Sequence, residues 1–118
     1  MRSNSPKESR KVLVDAFPKA IEIQTSSYCN GKCVICPHEA VSKEMPNGVM
    51  KMPLFNRLLD EIGERKVLII PYLNSEPLLD PDFFERAALI RKRCPNAKIE
   101  VSTNLSLMGA AELGRLKK

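Results

Sequence analysis

The chain has 118 residues, 43% of them hydrophobic and 5% aromatic, enough for one domain with a core of Ile, Leu, Val and Ala. No apolar run is long enough to cross a bilayer. The formal net charge of +5 sits at the two ends, in Arg2, Lys7, Arg10 and Lys11 and again in Arg115, Lys117 and Lys118. The body therefore lacks the basic stripe that a nucleic-acid binder presents on its folded face; neither a nucleic acid nor a membrane is expected as a partner. The polar N-terminus carries no signal-peptide pattern, which makes a cytoplasmic location the default expectation.

In chain order, residues 1–18 are charged, hold Pro6 and Pro18, and read as a polar arm ahead of a folded portion over 19–118. Ile21 and Ile23 alternate with Glu22 and Gln24, predicting a strand over 20–25. A cysteine-rich segment runs from Tyr28 to His38. The stretch 39–51, with Pro46, Asn47 and Gly48, reads as loop. A helix is predicted over 53–64: Pro53 suits its first turn, and Leu54, Phe55, Leu58, Leu59 and Ile62 share one face.

The apolar run 67–73 predicts a strand buried on both faces, with Pro71 as a blemish because proline cannot donate to a ladder. A second helix is predicted from Asp80, as N-cap, and Pro81 to about Arg93, ending before Pro95. A third strand is predicted over 98–103. A third helix is predicted from near Leu107, still running at the end of the chain.

Strands alternating with amphipathic helices imply an α/β fold of parallel (β/α) units with right-handed crossovers. Functional groups in such folds gather at the carboxyl ends of the strands. Three polar clusters fall there: the cysteines after the first strand, Asn74, Ser75 and Glu76 after the second, and Thr103 and Asn104 after the third.

Three of the four cysteines lie in one C-x3-C-x2-C segment, Cys29, Cys33 and Cys36; the fourth, Cys94, is distant and reads as a small packing residue. A disulfide framework spaces its cysteines along a secreted chain, and neither condition holds here. Clustered thiolates are soft ligands for an iron–sulfur cluster or for zinc. Three thiolates on a cubane leave one iron free to bind a small molecule, and Gly31 lets the loop turn tightly. Two other chemistries use the same residues. Cys33 and Cys36 could form a C-x-x-C redox pair, or Cys29, Cys33, Cys36 and His38 a Cys3His zinc site in a non-catalytic interaction module.

The C-x3-C-x2-C loop after a first strand resembles the signature of the radical S-adenosylmethionine superfamily. Residues 74–79 (NSEPLL) resemble that family's glycine-glycine-glutamate-proline segment, and residues 101–107 (VSTNLSL) resemble its serine-threonine-asparagine-glycine segment. The resemblance implies a [4Fe–4S] cluster on Cys29, Cys33 and Cys36, with S-adenosylmethionine chelating the fourth iron. It implies that Ile35, where the family commonly has an aromatic, lies against the adenine. Asn74, Ser75 and Glu76 would meet the methionyl amino group. Ser102 and Asn104 would meet the ribose hydroxyls or nearby methionyl atoms. Asn74 and Ser75 stand where the family has two glycines, and Leu105 where it often has another.

The implied reaction is reductive cleavage of S-adenosylmethionine to a 5′-deoxyadenosyl radical that abstracts hydrogen from a peptide or small-metabolite substrate. The electron would come from a one-electron reductant such as flavodoxin or ferredoxin. The family core is a partial TIM-like (β/α)6 barrel. Three strand–helix units account for its first half, so 19–118 is expected to be a truncated N-terminal portion of that core. Glu22 and Gln24 would then face the lumen.

Overall fold

The computed structural model describes residues 16–117. Most of the polar arm, residues 1–15, lies outside the described residues. The elements are β1 (Ala20–Glu22), α1 (His38–Glu44), α2 (Met52–Ile62), β2 (Leu68–Ile70), α3 (Phe83–Arg93), β3 (Lys98–Ile99) and α4 (Ala110–Leu116), with a short 3-10 turn at Pro77–Leu79. The strands form one parallel sheet in the order β1-β2-β3. Ile21 sits beside Ile69, and Ile69 beside Ile99. The α/β class and the parallel pairing expected from the sequence are therefore present.

Ile69, at the centre of the sheet, is fully buried. Ile23 just after β1 and Val67 just before β2, Phe55, Leu59 and Ile62 from α2, and Ile90 and Cys94 from α3 and its end complete the core. Phe17 packs against it, with the Arg65 guanidinium 4.5 Å from its ring centroid. The long helices α2 and α3 thus cover the face of Val67 and Ile69, as two successive crossovers of one hand require. Leu68 and Ile70, on the opposite face, are only half-buried and Leu73 is exposed. This corrects the expectation of a strand buried on both sides.

The strands are shorter than the apolar pattern suggests, and for β3 the cause lies in its neighbour. Glu100 donates its N–H to the Ile69 carbonyl at 3.1 Å. In a parallel ladder the next donor toward β3 would be the amide of residue 71, which is Pro71 and has no N–H. Pairing stops there, and the predicted strand over 98–103 is reduced to Lys98–Ile99.

The helices also differ from the expectation. The loop expected over 39–51 contains α1, a helix with no buried residue; without a buried face it leaves no hydrophobic period. Helix α3 begins at Phe83, with Asp82 rather than Asp80 at its cap. Asp80 instead accepts the Asp82 N–H at 2.9 Å and turns its carboxylate to Arg86, Nε–Oδ2 3.0 Å, with both side chains essentially inaccessible to solvent. Arg86 also donates to the Met50 carbonyl and lies 4.9 Å from the centroid of Phe55. It therefore joins α3 to α2 and to the segment leading into α2. Helix α4 begins at Ala110, three residues past the expected start, where Glu112 Oε2 accepts the Gly109 N–H at 3.0 Å; it ends at Leu116. Helix α2 stops at Gly63, whose φ of 56° is the left-handed conformation that glycine adopts freely.

Candidate functional site at the carboxyl edge of the sheet

The cysteine loop leaves β1 and is closed at its base by a short antiparallel pairing of 25–27 with 48–50. Met50 donates to the Thr25 carbonyl at 2.7 Å, Ser27 to the Gly48 carbonyl at 3.0 Å, and Ser26 bridges Val49. The Ser27 hydroxyl accepts the Gly48 N–H at 2.8 Å. Between these strips lie Tyr28 to Asn47, including all three clustered cysteines and α1. His38, at the start of α1, places Nε2 2.8 Å from the Ser27 carbonyl, which clasps the Cys36 end of the loop to its base.

Cys29, Cys33 and Cys36 are free thiols, Cys29 and Cys36 half-buried and Cys33 exposed. A Cβ on Gly31 would lie 3.6 Å from Cys29 Sγ and 3.8 Å from Cys33 Sγ, so Gly31 sits between two of the three thiols. The Gly31 N–H approaches Cys29 Sγ at 3.4 Å, and the Cys36 N–H donates to the Cys33 carbonyl at 3.1 Å. Among the described residues, no three His, Cys, Asp or Glu side chains converge as they would on a single metal ion. A cluster takes one thiolate per iron and needs its thiols spread around a cube rather than focused on one point. Three unpaired soft donors around a loop with a glycine between two of them fit such a group. In a Cys3His arrangement only Nδ1 of His38 would be left as a ligand, because Nε2 is engaged by the Ser27 carbonyl.

The three polar clusters do meet. Glu76, 3% exposed, donates its backbone N–H to the Tyr28 carbonyl at 2.9 Å, joining the end of β2 to the cysteine loop. Its carboxylate Oε1 accepts from the Leu78 N–H at 3.2 Å and from the Thr103 hydroxyl. Oε2 accepts the Asn104 N–H at 2.9 Å. Of about four acceptor sites on a carboxylate, three are filled by the protein. Glu76 is thus first a fastener of the edge, with one site left for a ligand.

The other predicted site residues lie around it. Asn74 is exposed and its N–H reaches Gln24 Oε1 at 3.4 Å. Ser75 is half-buried, and its hydroxyl has no hydrogen-bond partner among the described residues although the atom itself is inaccessible to solvent; such an orphan is unfavourable by about 1–3 kcal/mol and suits a group that a ligand completes. Ile35 is 94% exposed, packed on nothing. Ser102 is exposed. Asn104 uses its amide oxygen for Ser106, from the backbone N–H at 3.0 Å and the hydroxyl at 2.7 Å, and donates Nδ2 to Asn30 Oδ1 at 2.9 Å.

Asn30 and Ser106 escaped the sequence reading. They lie 76 positions apart, and only the fold brings them together, Asn30 Nδ2 to Ser106 Oγ at 2.9 Å. Leu105 has φ 62°, a left-handed backbone that glycine adopts more readily than leucine. Cys94 is in the core, its Sγ 3.6 Å from the Leu59 carbonyl, and burial pushes its thiol above the ordinary value of 9.0. No described helix is long and apolar enough to cross a membrane.

No family model matches the chain, and no curated protein matches it. Two solved structures resemble it. One is BtrN in complex with AdoMet and 2-DOIA, with a TM-score of 0.79 and 25% identity, covering 88% of this chain and 43% of that one. The other is selenomethionine BtrN in an open conformation, with a TM-score of 0.77 and 23% identity, covering 88% of this chain and 47% of that one. The chain spans less than half the length of each, and over that span it has the fold of part of BtrN, which has been solved with AdoMet bound.

Proposed function

We propose that the chain carries the cluster-binding and cofactor-binding portion of a radical S-adenosylmethionine enzyme, with a [4Fe–4S] cluster on Cys29, Cys33 and Cys36. The observation that carries this reading is the position of three free thiols in one loop at the carboxyl end of the first parallel strand, in a fold shared with a protein solved with AdoMet. Cluster and S-adenosylmethionine together supply reductive carbon–sulfur cleavage and a hydrogen-abstracting radical; the protein supplies binding, orientation and exclusion of water.

The residues divide that work. The three thiolates hold the cluster. Ile35, uncovered in the free chain, packs on the adenine. Asn74, Ser75 and the open acceptor site of Glu76 meet the methionyl amino group, and the unpartnered Ser75 hydroxyl gains a bond. Ser102 and the remaining Nδ2 hydrogen of Asn104 face the ribose. The sheet face bearing Glu22 and Gln24 lines the interior of a partial (β/α)6 barrel. The substrate is a peptide or small metabolite, the reductant a flavodoxin or ferredoxin, and the reducing cytoplasm keeps the thiols free.

Anaerobic reconstitution with iron and sulfide tests the reading. About four irons per chain and a reduced-state EPR signal that shifts on adding S-adenosylmethionine are expected. One tightly bound zinc without iron would overturn it.

A further inference from the structure

Asn30 follows Cys29 and precedes Gly31, inside the C-x3-C arm of the loop. Its Nδ2 donates to Ser106 Oγ at 2.9 Å. The Ser106 hydroxyl donates to Asn104 Oδ1 at 2.7 Å, and Asn104 Nδ2 donates back to Asn30 Oδ1 at 2.9 Å. Each side chain donates once and accepts at least once, so the three close a ring. Turning either amide over would set donor against donor and acceptor against acceptor, so the ring fixes both orientations.

The ring is mounted on the sheet. Glu76 holds the Thr103 hydroxyl and the Asn104 N–H, and the left-handed Leu105 folds the chain back so that the Ser106 N–H also reaches Asn104 Oδ1. Asn104 Nδ2 lies 4.0 Å from the position of a Cβ on Gly31, the same point that Cys29 and Cys33 flank. The Cys36 end of the loop has a separate attachment, His38 to Ser27. The two arms of the loop are therefore held by different contacts.

We propose that the Asn30–Asn104–Ser106 ring is a latch that fixes the Cys29–Cys33 arm against the loop after β3, making Asn30 and Ser106 positioning residues for the group the three thiols hold. The clause about the held group rests on the cluster reading; the latch itself does not. Coupling the thiol arm to Asn104 gives the loop after β3 a direct mechanical hold on the thiols.

The test is thiol alkylation of the full chain, followed residue by residue by mass spectrometry. In Ser106→Ala, Cys29 should react roughly 3- to 10-fold faster than in the wild type, the scale of a lost hydrogen-bonding partner. Cys36 should keep its rate, and so should buried Cys94, which reports global opening. Ser106→Thr, which keeps the hydroxyl, should restore the Cys29 rate, and Asn30→Ala should repeat the effect of Ser106→Ala. An unchanged Cys29 rate, a parallel rise at Cys94 or Cys36, or no rescue by threonine would each overturn the latch. In reconstituted protein, Ser106→Ala should also lose iron to a chelator faster. Failure of the wild type to take up iron would overturn the cluster reading, while the alkylation rates would still decide the latch.

Discussion

Glu76 Oε2 accepts the backbone N–H of Asn104 at 2.9 Å, tying the loop after β2 to the loop after β3 across 28 residues of chain. The same residue holds the cysteine loop through the Tyr28 carbonyl. All three strand ends therefore converge on one buried carboxylate residue. Replacing it with glutamine keeps the size but puts an NH2 group where one oxygen stood. Whichever way that amide turns, it opposes a backbone N–H, of Leu78 or of Asn104. Glu76→Gln should lower stability by about 1–3 kcal/mol, read by chemical denaturation at neutral pH. An unchanged midpoint would show that the carboxylate is not the fastener described.

Asp80 and Arg86 form a second junction, both side chains inaccessible. Their approach at 3.0 Å lacks hydrogen-bond alignment, and Arg86 Nη1 has no hydrogen-bond partner among the described residues. The pair is therefore better understood as specifying the α3–α2 arrangement than as a large net gain. Removing one partner strands the other charge: Arg86→Met should be destabilising by about 3–5 kcal/mol. Adding Asp80→Leu to it should recover part of the loss, because two apolar groups leave no buried charge behind. A double-mutant cycle measures the difference.

These two junctions also show what the sequence could and could not disclose. The three strands were legible from local alternation and from the run 67–73, and the shared carboxyl edge followed from their parallel order. The three cysteines were legible from spacing alone. Asp80 followed by Pro81 looks like a helix start, but the demand of Arg86, one and a half turns later, takes the Asp80 carboxylate away and moves the cap to Asp82. Helix α1 was missed because it buries nothing. β3 was overextended because the missing N–H belongs to Pro71 in another strand. At the site, Asn104 is expected at a ligand, whereas its amide oxygen turns to Ser106 two residues on and its Nδ2 to Asn30, 74 positions away; no local pattern links Asn104 to Asn30.

Leu105 offers a test of backbone strain. A side chain in the left-handed region is unfavourable by roughly 1–2 kcal/mol, and Leu105 is 60% exposed at φ 62°, so little apolar burial offsets this. Glycine removes the strain but adds freedom to the unfolded chain, an opposing effect of about 0.4–1 kcal/mol. Leu105→Gly should therefore leave stability equal or raise it by up to about 1 kcal/mol. Leu105→Val, with branching at Cβ, should lower it. Thermal melts should place Leu105→Gly at or above the wild type and Leu105→Val below it; a shared loss would refute the strain.

Cys94 predicts a pH effect of definite sign. Burial raises its thiol pKa in the folded chain; Arg93 opposes this and Asp60 adds to it, both more weakly. The folded state thus favours the neutral thiol. The stability linked to this group is fully present below the unfolded value of 9.0 and is lost as pH climbs from there through the folded value. Denaturation at about pH 7 and about pH 10 should show a steeper alkaline loss for the wild type than for Cys94→Ala. All other side chains are common to the two chains and cancel in the comparison. Parallel curves would mean that the thiol is not buried as described.

His38 separates the two metal readings. In a Cys3His zinc site it would be a ligand, and Ala in its place would abolish tight binding. Under the cluster reading it only closes the Cys36 end of the loop through the Ser27 carbonyl, 2.8 Å from Nε2, and is not a ligand. His38→Ala should therefore still take up iron and sulfide anaerobically to the wild-type level, with a more mobile Cys36 arm and faster alkylation of Cys36 in the metal-free chain. Cys36→Ala, which removes a ligand, should lower iron content sharply. Equal loss of iron in both variants would make His38 a ligand and overturn the assignment to three thiolates alone.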